Sequence, residues 1–569
     1  MIKKNIYNII LSIILVIYSL LLVNQGVTVT DTGYNYSNFV NYDSLDNMWK
    51  FSTYLATAIG SLFTHLPFGH SMLGLNIYTG LVKALIALVV YYVCVYYFGM
   101  KSSLVFLAEL MALGYCWCPT ALLYNYLSYL IFTLGAILLC IATKSKNIFL
   151  YAFAGLCLGM NVLVRLPNLA EMSLIFAVWY HCYISKSSLR DTIKITGVCI
   201  GGYVLGIGSI LVYISCKYGI NEYWDGIYEI VTMPNEAGSY SLEAMIRGDI
   251  VSYLDNMRWL ILASGVVLIG TIFNFVFKDK LSVLKKIPYI CSNLLLLFIY
   301  KKMGMFDFTY YNYDSIEKVG IFFLILAGIL GLYVVFFGGE NYSLRMHAVT
   351  MGIIILITPL GSNNYLFSAI NNLFWVTPFV FHCCYEWSVY AKKTISIRNI
   401  TLEPMRITFM IMIMFTFFQG VLFGAHFVFR DGTNGEKRTA RITDIPALLN
   451  MYTQPENAIA LSELNTFLIV NELKGKEVIF YNDVPGLAFY MDLKPALSST
   501  WPDLDSFARI KLEQELQVIS DKFPELEKPL IILGEELNIN IPKQNTLQKF
   551  MEDNDYNLIY SNDLCYLYW

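Results

Sequence analysis

Long apolar runs broken by short polar stretches fill the chain up to about residue 428. Thirteen of them approach the roughly 20 residues that a membrane-crossing helix requires. They lie near 6–23, 72–98, 102–118, 122–142, 148–164, 168–184, 193–215, 259–277, 287–300, 317–337, 346–360, 373–390 and 405–428. The run at 287–300 is the shortest. The first run is long, has no small-x-small exit and continues into Asn24-Gln25, so it reads as a retained span and not as a cleaved leader.

Beyond 428 the pattern changes. Lys476–Tyr481 and Pro529–Gly534 are short apolar runs of the kind that form buried strands. Residues 503–523 carry the charge pattern of an exposed helix. Leu558–Tyr560 and Leu564–Tyr568 flank Ser561-Asn562-Asp563 like a hairpin. The expected fold class is therefore an α-helical polytopic membrane protein of about thirteen spans over 1–428, followed by a small α/β domain over 429–569. Neither a dinucleotide-type glycine fingerprint nor a P-loop is present, and no internal repeat of fixed period is seen.

Composition sharpens this reading. Of 569 residues, 57% are hydrophobic and 14% charged, against about 25% charged in ordinary soluble proteins. Too little polar surface exists to wrap such a chain as a soluble globule, so a soluble enzyme and a disordered protein are excluded. A net charge of -3 gives no basic field for nucleic acid. The charge is split: residues 1–428 hold 26 Lys+Arg and 20 Asp+Glu, while 429–569 hold 13 and 22. The expected surroundings are thus a lipid bilayer for the first part and water for the second.

Basic residues set the expected orientation. Seventeen of the 26 in residues 1–428 fall on one side of the thirteen-span plan, in short loops such as those around Lys101, Lys144, Lys186, Lys278, Lys280, Lys285, Lys392, Lys393 and Arg398. That side is the cytoplasm, with the N-terminus inside and the acidic tail outside. The membrane is expected to be the cytoplasmic one. Three outward segments are long enough to carry structure: 24–71, 217–258 and 301–316. Most of the twelve cysteines lie in apolar runs, as small hydrophobes do.

The strongest candidate for chemistry is Thr30-Asp31-Thr32-Gly33-Tyr34, just past the first span. A carboxylate at the outer membrane edge can serve as general base toward an acceptor hydroxyl, and Gly33 lets the backbone turn beside it. Arg165 stands at the outer end of its span beside Pro167, as a functional cation or as a snorkelling anchor. Glu171 follows it by about a turn and is expected to pair with it. Arg247, Arg258, Lys301 and Lys302 are further cations in the outward segments. Asn363 and Asn364 are candidates for hydrogen bonds to a ligand or for a turn. Tyr34, Tyr36 and Trp224 are aromatic candidates for stacking. His65 and His70 make a metal site only with further donors.

A first outward loop that opens with an acid and then runs along the membrane resembles the GT-C superfamily of integral membrane glycosyltransferases. The nearer resemblance is to its protein-mannosyltransferase-like and aminoarabinose-transferase-like branch. Leu123-Tyr124-Asn125-Tyr126-Leu127-Ser128 is similar to openings of the fourth span there. Gly155–Met160 with Val164-Arg165-Leu166-Pro167-Asn168, and the loop Pro359–Asn364, also resemble segments of that branch.

The resemblance implies a polyprenyl-phosphate-linked sugar donor and an envelope acceptor (a glycan, lipid or protein). It implies Asp31 as catalytic base, and Arg165, Tyr34, Asn125, Asn363, Asn364, Lys301, Lys302, Arg247 and Arg258 as substrate-binding candidates. Where relatives often carry a second acid, this chain has Thr32 and Gly33. Cys116-Trp117-Cys118-Pro119 in the next outward loop supplies none. No cofactor is firmly implied, and dependence on a divalent metal stays open. A transporter or lipid flippase and a non-catalytic envelope-assembly scaffold are the alternative functions.

Overall fold

The computed structural model describes residues 2–122, 124–232, 242–276, 286–390, 396–397, 400–401, 403–522, 527–535 and 541–569. Lys278, Lys280, Lys285, Lys392, Lys393 and Arg398, used above for orientation, lie outside the described residues.

All thirteen apolar runs fall on helices. In chain order the helices are α1 (Ile2–Ser19), α2 (Asp31–Val40), α3 (Asn47–Ser52), α4 (Tyr54–Thr64), α5 (Met72–Tyr92), α6 (Ser102–Gly114), α7 (Tyr124–Ser145), α8 (Ile148–Val162), α9 (Ile175–Ile184) and α10 (Leu189–Lys217). They continue with α11 (Ile220–Thr232), α12 (Leu242–Val276), α13 (Lys286–Lys302), α14 (Glu317–Phe337), α15 (Tyr342–Ile357), α16 (Thr377–Tyr390) and α17 (Glu403–Gly424).

Among the described residues, six helices are long and apolar enough to cross a membrane, or seven if the pair Tyr365–Asn372 and Thr377–Trp387, bent by 72°, counts as one span. Several other expected spans are shorter apolar helices, including Ser102–Gly114, Ile148–Val162 and Tyr342–Ile357. The run at 168–184 is split into a 3-10 segment, Leu166–Leu174, and α9. Pro167 sits in the first turn of that segment and cannot donate a backbone hydrogen bond. The chain is a multi-pass membrane protein. Its outward helix faces are apolar, as in Val204, Leu205 and Val212 of α10 and Ile261, Leu268 and Ile269 of α12.

Helices α8 and α10 pack backbone to backbone. A Cβ on Gly155 would stand 2.1 Å from the Cys199 carbonyl oxygen, and one on Gly206 would stand 2.3 Å from that of Leu156. Such small-residue contacts bring helices together in lipid, where apolar burial offers no drive.

The segments expected as outward loops are largely helical. Residues 24–71 form α2, α3 and α4, while the described residues of 217–258 form α11 and the first part of α12. The tail opens with β3 (Ala440–Arg441) and β4 (Tyr452–Thr453), after a small hairpin, β1 (Ser396–Ile397) and β2 (Ile400–Thr401), between α16 and α17.

The tail's main sheet has β5 (Glu477–Tyr481), β6 (Lys494–Pro495), β7 (Leu530–Gly534), β8 (Leu558–Ser561) and β9 (Cys565–Tyr568), in the order β6-β5-β7-β9-β8. Strand β5 runs parallel to β6 and β7, while β9 is antiparallel to β7 and β8. Helices α18 (Pro455–Val470), α19 (Leu487–Tyr490), α20 (Arg509–Ser520) and α21 (Ile541–Asp553) complete it.

The tail is fastened to the segment after α1. The Gly26 amide donates to the Tyr452 carbonyl at 2.7 Å, and the Gly486 amide donates to that of Val29 at 2.7 Å. Tyr490 Oη donates to the Thr28 carbonyl at 2.7 Å, and the Val27 amide donates to Asp431 Oδ2 at 2.7 Å. On the far side of α2, Lys511 Nζ lies 2.6 Å from Asp46 and 3.4 Å from Glu229, joining the tail to two helical segments of the membrane part.

Candidate functional site

Asp31 is the first residue of α2. A carboxylate there faces the partial positive charge of the helix N-terminus. Its Oδ2 lies 3.7 Å from Nη1 of Arg430, and the side chain keeps 36% of its surface open. Burial pushes the carboxyl above the usual carboxylate range. The Arg430 guanidinium pulls it back down, and a second carboxylate, Asp483, adds to the rise.

Asp483 comes from the tail. It follows β5 in the turn Asn482-Asp483-Val484-Pro485-Gly486, at the C-terminal end of a parallel strand, where α/β sheets place their ligands. Trp501 Nε1 donates to Asp483 Oδ1 at 3.0 Å, and the Trp501 ring lies 5.4 Å from that of Tyr34. The turn and α2 meet at glycines. A Cβ on Gly33 would stand 2.5 Å from the Gly486 Cα. Gly33 thus permits the docking of two backbones, not the turn expected of it.

Behind Asp483 sits Asp503, whose Oδ2 accepts from the Asp483 amide at 3.2 Å while its Oδ1 has no hydrogen-bond partner among the described residues. Burial, then Asp483, pushes Asp503 up to about 6. The folded value exceeds the unfolded one of about 3.9. This contribution to stability is therefore fully present below about pH 3.9 and is lost as pH rises through about 6. The predicted consequence is that Asp503→Asn raises the unfolding temperature of the full chain at pH 8, by about 1–2 kcal/mol of stability, and gains less at pH 5. Equal gains at both pH values, read by thermal melts, would argue against it.

The loop between α6 and α7 is tied into the bundle. The Trp117 amide donates to Asn371 Oδ1 at 2.8 Å, and Asn125 Nδ2 donates to Cys118 Sγ at 3.3 Å. Cys118 lies within electrostatic reach of both Asp31 and Lys83. A cavity of about 60 Å³ lies below, lined by Gln25, Asn76, Lys83, Cys118, Val428 and Phe429 among others. Asp31 does not line it. The cavity reaches the residue before Arg430, the partner of Asp31.

The other sequence candidates are spread out. Arg165 Nε donates to Asn168 Oδ1 at 2.9 Å and Nη2 to the Leu360 carbonyl at 2.8 Å, with the Tyr124 ring 5.4 Å away. Glu171 is not its ion-pair partner. Glu171 Oε2 instead accepts from Asn161 Nδ2 at 2.6 Å, because Asn168 and the Leu360 carbonyl already claim the guanidinium.

Asn363 and Asn364 are exposed in a turn that the Asn364 amide closes onto Ser362 Oγ. Arg247, Arg258, Lys301 and Lys302 are exposed too. Arg258 lies over Trp259 and Lys301 over Phe308, at 4.4 and 4.7 Å. The 301–316 segment reaches the site through Tyr313, which lies near Arg430 and Asp31. Tyr36 has no exposed surface and cannot meet a sugar; Trp224 is 55% exposed.

Arg430 and Asp483 were invisible as site residues in the sequence. The only signals were a basic residue just past the last span and a polar turn closing a strand. For a divalent metal, no group of three or more His, Cys, Asp or Glu among the described residues is arranged to hold one. Asp31 is instead matched to a guanidinium, so no step is derived through a metal.

No protein-family model and no curated protein matches the chain. Solved structures with a similar course of chain include ArnT from Cupriavidus metallidurans bound to undecaprenyl phosphate, at 10% identity and a TM-score of 0.45 over 100% of this chain and 98% of that one. The same ArnT in the apo state gives 11% and 0.46 over 100% and 97%. The Archaeoglobus fulgidus oligosaccharyltransferase in complex with Zn and sulfate gives 10% and 0.46, over 92% of this chain and 68% of that one.

Proposed function

We propose that the chain is a membrane glycosyltransferase of GT-C type. It moves a sugar from a polyprenyl-phosphate carrier to an acceptor on the outer face of the cytoplasmic membrane. In this reading the N-terminus is inside, 1–428 is the membrane domain and 429–569 stands outside. The observation that carries the reading is the carboxylate of Asp31. It is half-open and held by Arg430 under a docked tail domain, and the residue before Arg430 lines a cavity inside the helical bundle.

Asp31 takes the proton of an acceptor hydroxyl. The oxygen attacks the anomeric carbon, the bond from that carbon to the phosphate oxygen breaks, and its electron pair leaves with the lipid phosphate. Arg430 keeps the base ionised, while Asp483 raises its basicity. Arg165 positions the Leu360–Asn364 turn through the Leu360 carbonyl, and Asn363 and Asn364 on that turn are open to substrate. Asn125 holds the Cys118 loop, and Tyr34 backs Asp31 against Trp501. Arg247, Arg258, Lys301 and Lys302 are exposed cations for the acceptor side.

The test is consumption of polyprenyl-phosphate monosaccharides by the purified chain in nanodiscs, with outer-envelope extracts as acceptor. At least one donor is expected to be consumed with release of polyprenyl phosphate; no consumption across the panel counts against the reading.

A pH profile adds detail. The base works only when ionised, so the rate falls as pH drops through the raised value of Asp31. Arg430→Met is expected to move this acid limb to higher pH, and Asp483→Asn to lower pH. Unmoved limbs in both would remove Asp31 as the titrating group.

A further inference from the structure

Asp31 and Tyr34 stand three residues apart on α2 and so share one face of that helix. Each meets the tail. Asp31 is within electrostatic reach of Asp483, and the Tyr34 ring lies edge-on to that of Trp501 at 5.4 Å. The two tail residues are joined to each other, since Trp501 Nε1 donates to Asp483 Oδ1 at 3.0 Å. Trp501 is 7% exposed, so it is packed into the junction and not presented to a ligand.

The turn that carries Asp483 needs outside support. Asn482 and Asp483 have φ of 60° and 58°, two successive non-glycine residues in the left-handed region. Such backbone persists where its surroundings over-determine it, and it gathers at active sites. Here the neighbours do so. The Asp483 amide donates to Asp503 Oδ2 at 3.2 Å. A Cβ on Gly534, at the end of β7, would stand 1.9 Å from the Asn482 carbonyl oxygen, so glycine is what admits the turn.

Trp501 supplies the hold on the Asp483 carboxylate itself, and its own loop is pinned at both ends. Glu515 of α20 accepts from the Ser498 amide at 2.8 Å. The buried Lys543 ammonium of α21 donates to the Leu504 carbonyl at 2.6 Å.

We propose that Trp501 is a positioning residue for the transfer, its indole N–H holding the Asp483 carboxylate beside the base. The assignment deepens the transfer reading and rests on it for the role of Asp31. A donor on a carboxylate favours its charged form. Without that donor, Asp483, which faces the carboxylates of Asp31 and Asp503, takes up a proton more readily and turns freely. Asp31 then loses the negative neighbour that raises its basicity. The other groups around Asp31, namely Arg430, Tyr34, Tyr313 and Cys118, stay in place.

The experiment reads the titration of Asp31 directly. The full chain in nanodiscs is labelled with a hydrophobic carbodiimide across a pH series, and the modified peptide is mapped. Trp501→Phe keeps a ring against Tyr34 and removes the N–H. Its labelling midpoint for Asp31 is expected about half a pH unit below wild type. Asp483→Asn is expected to give the same lower midpoint, and adding Trp501→Phe to it to move the midpoint no further. Benzothienylalanine in place of Trp501 keeps the full bicyclic shape without the N–H and is expected to match Trp501→Phe.

A side chain that only fills space would leave the benzothienylalanine midpoint at the wild-type value, and that result overturns the assignment even where Trp501→Phe undocks the tail. A further shift of Trp501→Phe on top of Asp483→Asn overturns it too. The predicted midpoints in a chain that transfers no sugar would keep the hold of Trp501 on Asp483 and overturn the transfer reading.

Discussion

Asp31→Asn is expected to lower sugar transfer by about 10²- to 10⁴-fold, the usual contribution of a positioned base. The substitution keeps the shape and the helix-start position but takes away the basic lone pair. Its structural cost is small. The ion pair with Arg430 spans 3.7 Å between side chains that are 53% and 36% open, and exposed pairs contribute at most about 1 kcal/mol. The variant therefore melts near wild type and still binds polyprenyl phosphate, so the loss falls on turnover. Asp31→Glu, which keeps a carboxylate, recovers part of the rate. Transfer by the Asn variant within about threefold of wild type, measured by release of polyprenyl phosphate, would remove Asp31 from the chemistry.

Gly33→Val is expected to undock the tail domain. The added Cβ would meet the Gly486 Cα at 2.5 Å, and the Thr28 carbonyl oxygen and Tyr490 Oη at 3.1 Å. Two of these three atoms belong to backbone fixed by other bonds: the Gly486 amide to Val29 and the Tyr490 hydroxyl to Thr28 hold the same junction. The clash cannot be relieved by turning a flexible side chain, and overpacking of this kind costs about 1–3 kcal/mol or more. With the turn displaced, Asp483 leaves Asp31. The expected readouts are protease cutting between α17 and α18 and at least a tenfold loss of transfer. Gly201→Ala on α10 serves as control, since its Cβ meets nothing within 4 Å. A Gly33→Val chain that resists protease and transfers normally would show that the tail is not part of the site.

The membrane part was legible because lipid imposes a simple rule. Every backbone polar group there must pair internally, so each long apolar run becomes a helix, and all thirteen runs did. Tail strands were legible for a similar reason: Val478–Tyr481 and Leu530–Ile532 are buried and read as unbroken apolar runs. Span lengths were harder to read. Apolar runs do not show where a 3-10 turn or a proline ends the helix, as at Leu166–Leu174.

The site was legible only at Asp31, singled out by its position just past the first span. Arg430 and Asp483 lie some four hundred residues further along the chain, and only docking brings them to α2. Nothing local marks such a meeting. Gly33 shows the same limit: its sequence neighbours suggest a turn, whereas its use is to let another backbone approach.

The most direct test is photo-crosslinking with a polyprenyl phosphate that carries a photoreactive group next to the phosphate, followed by peptide mapping in nanodiscs. Crosslinks are predicted in the segments that frame Asp31 and the cavity: residues 18–41, 76–83, 116–126 and 423–431. Capture confined to the lipid-facing surfaces of α10, α12 and α14, with none in those segments, would contradict the account.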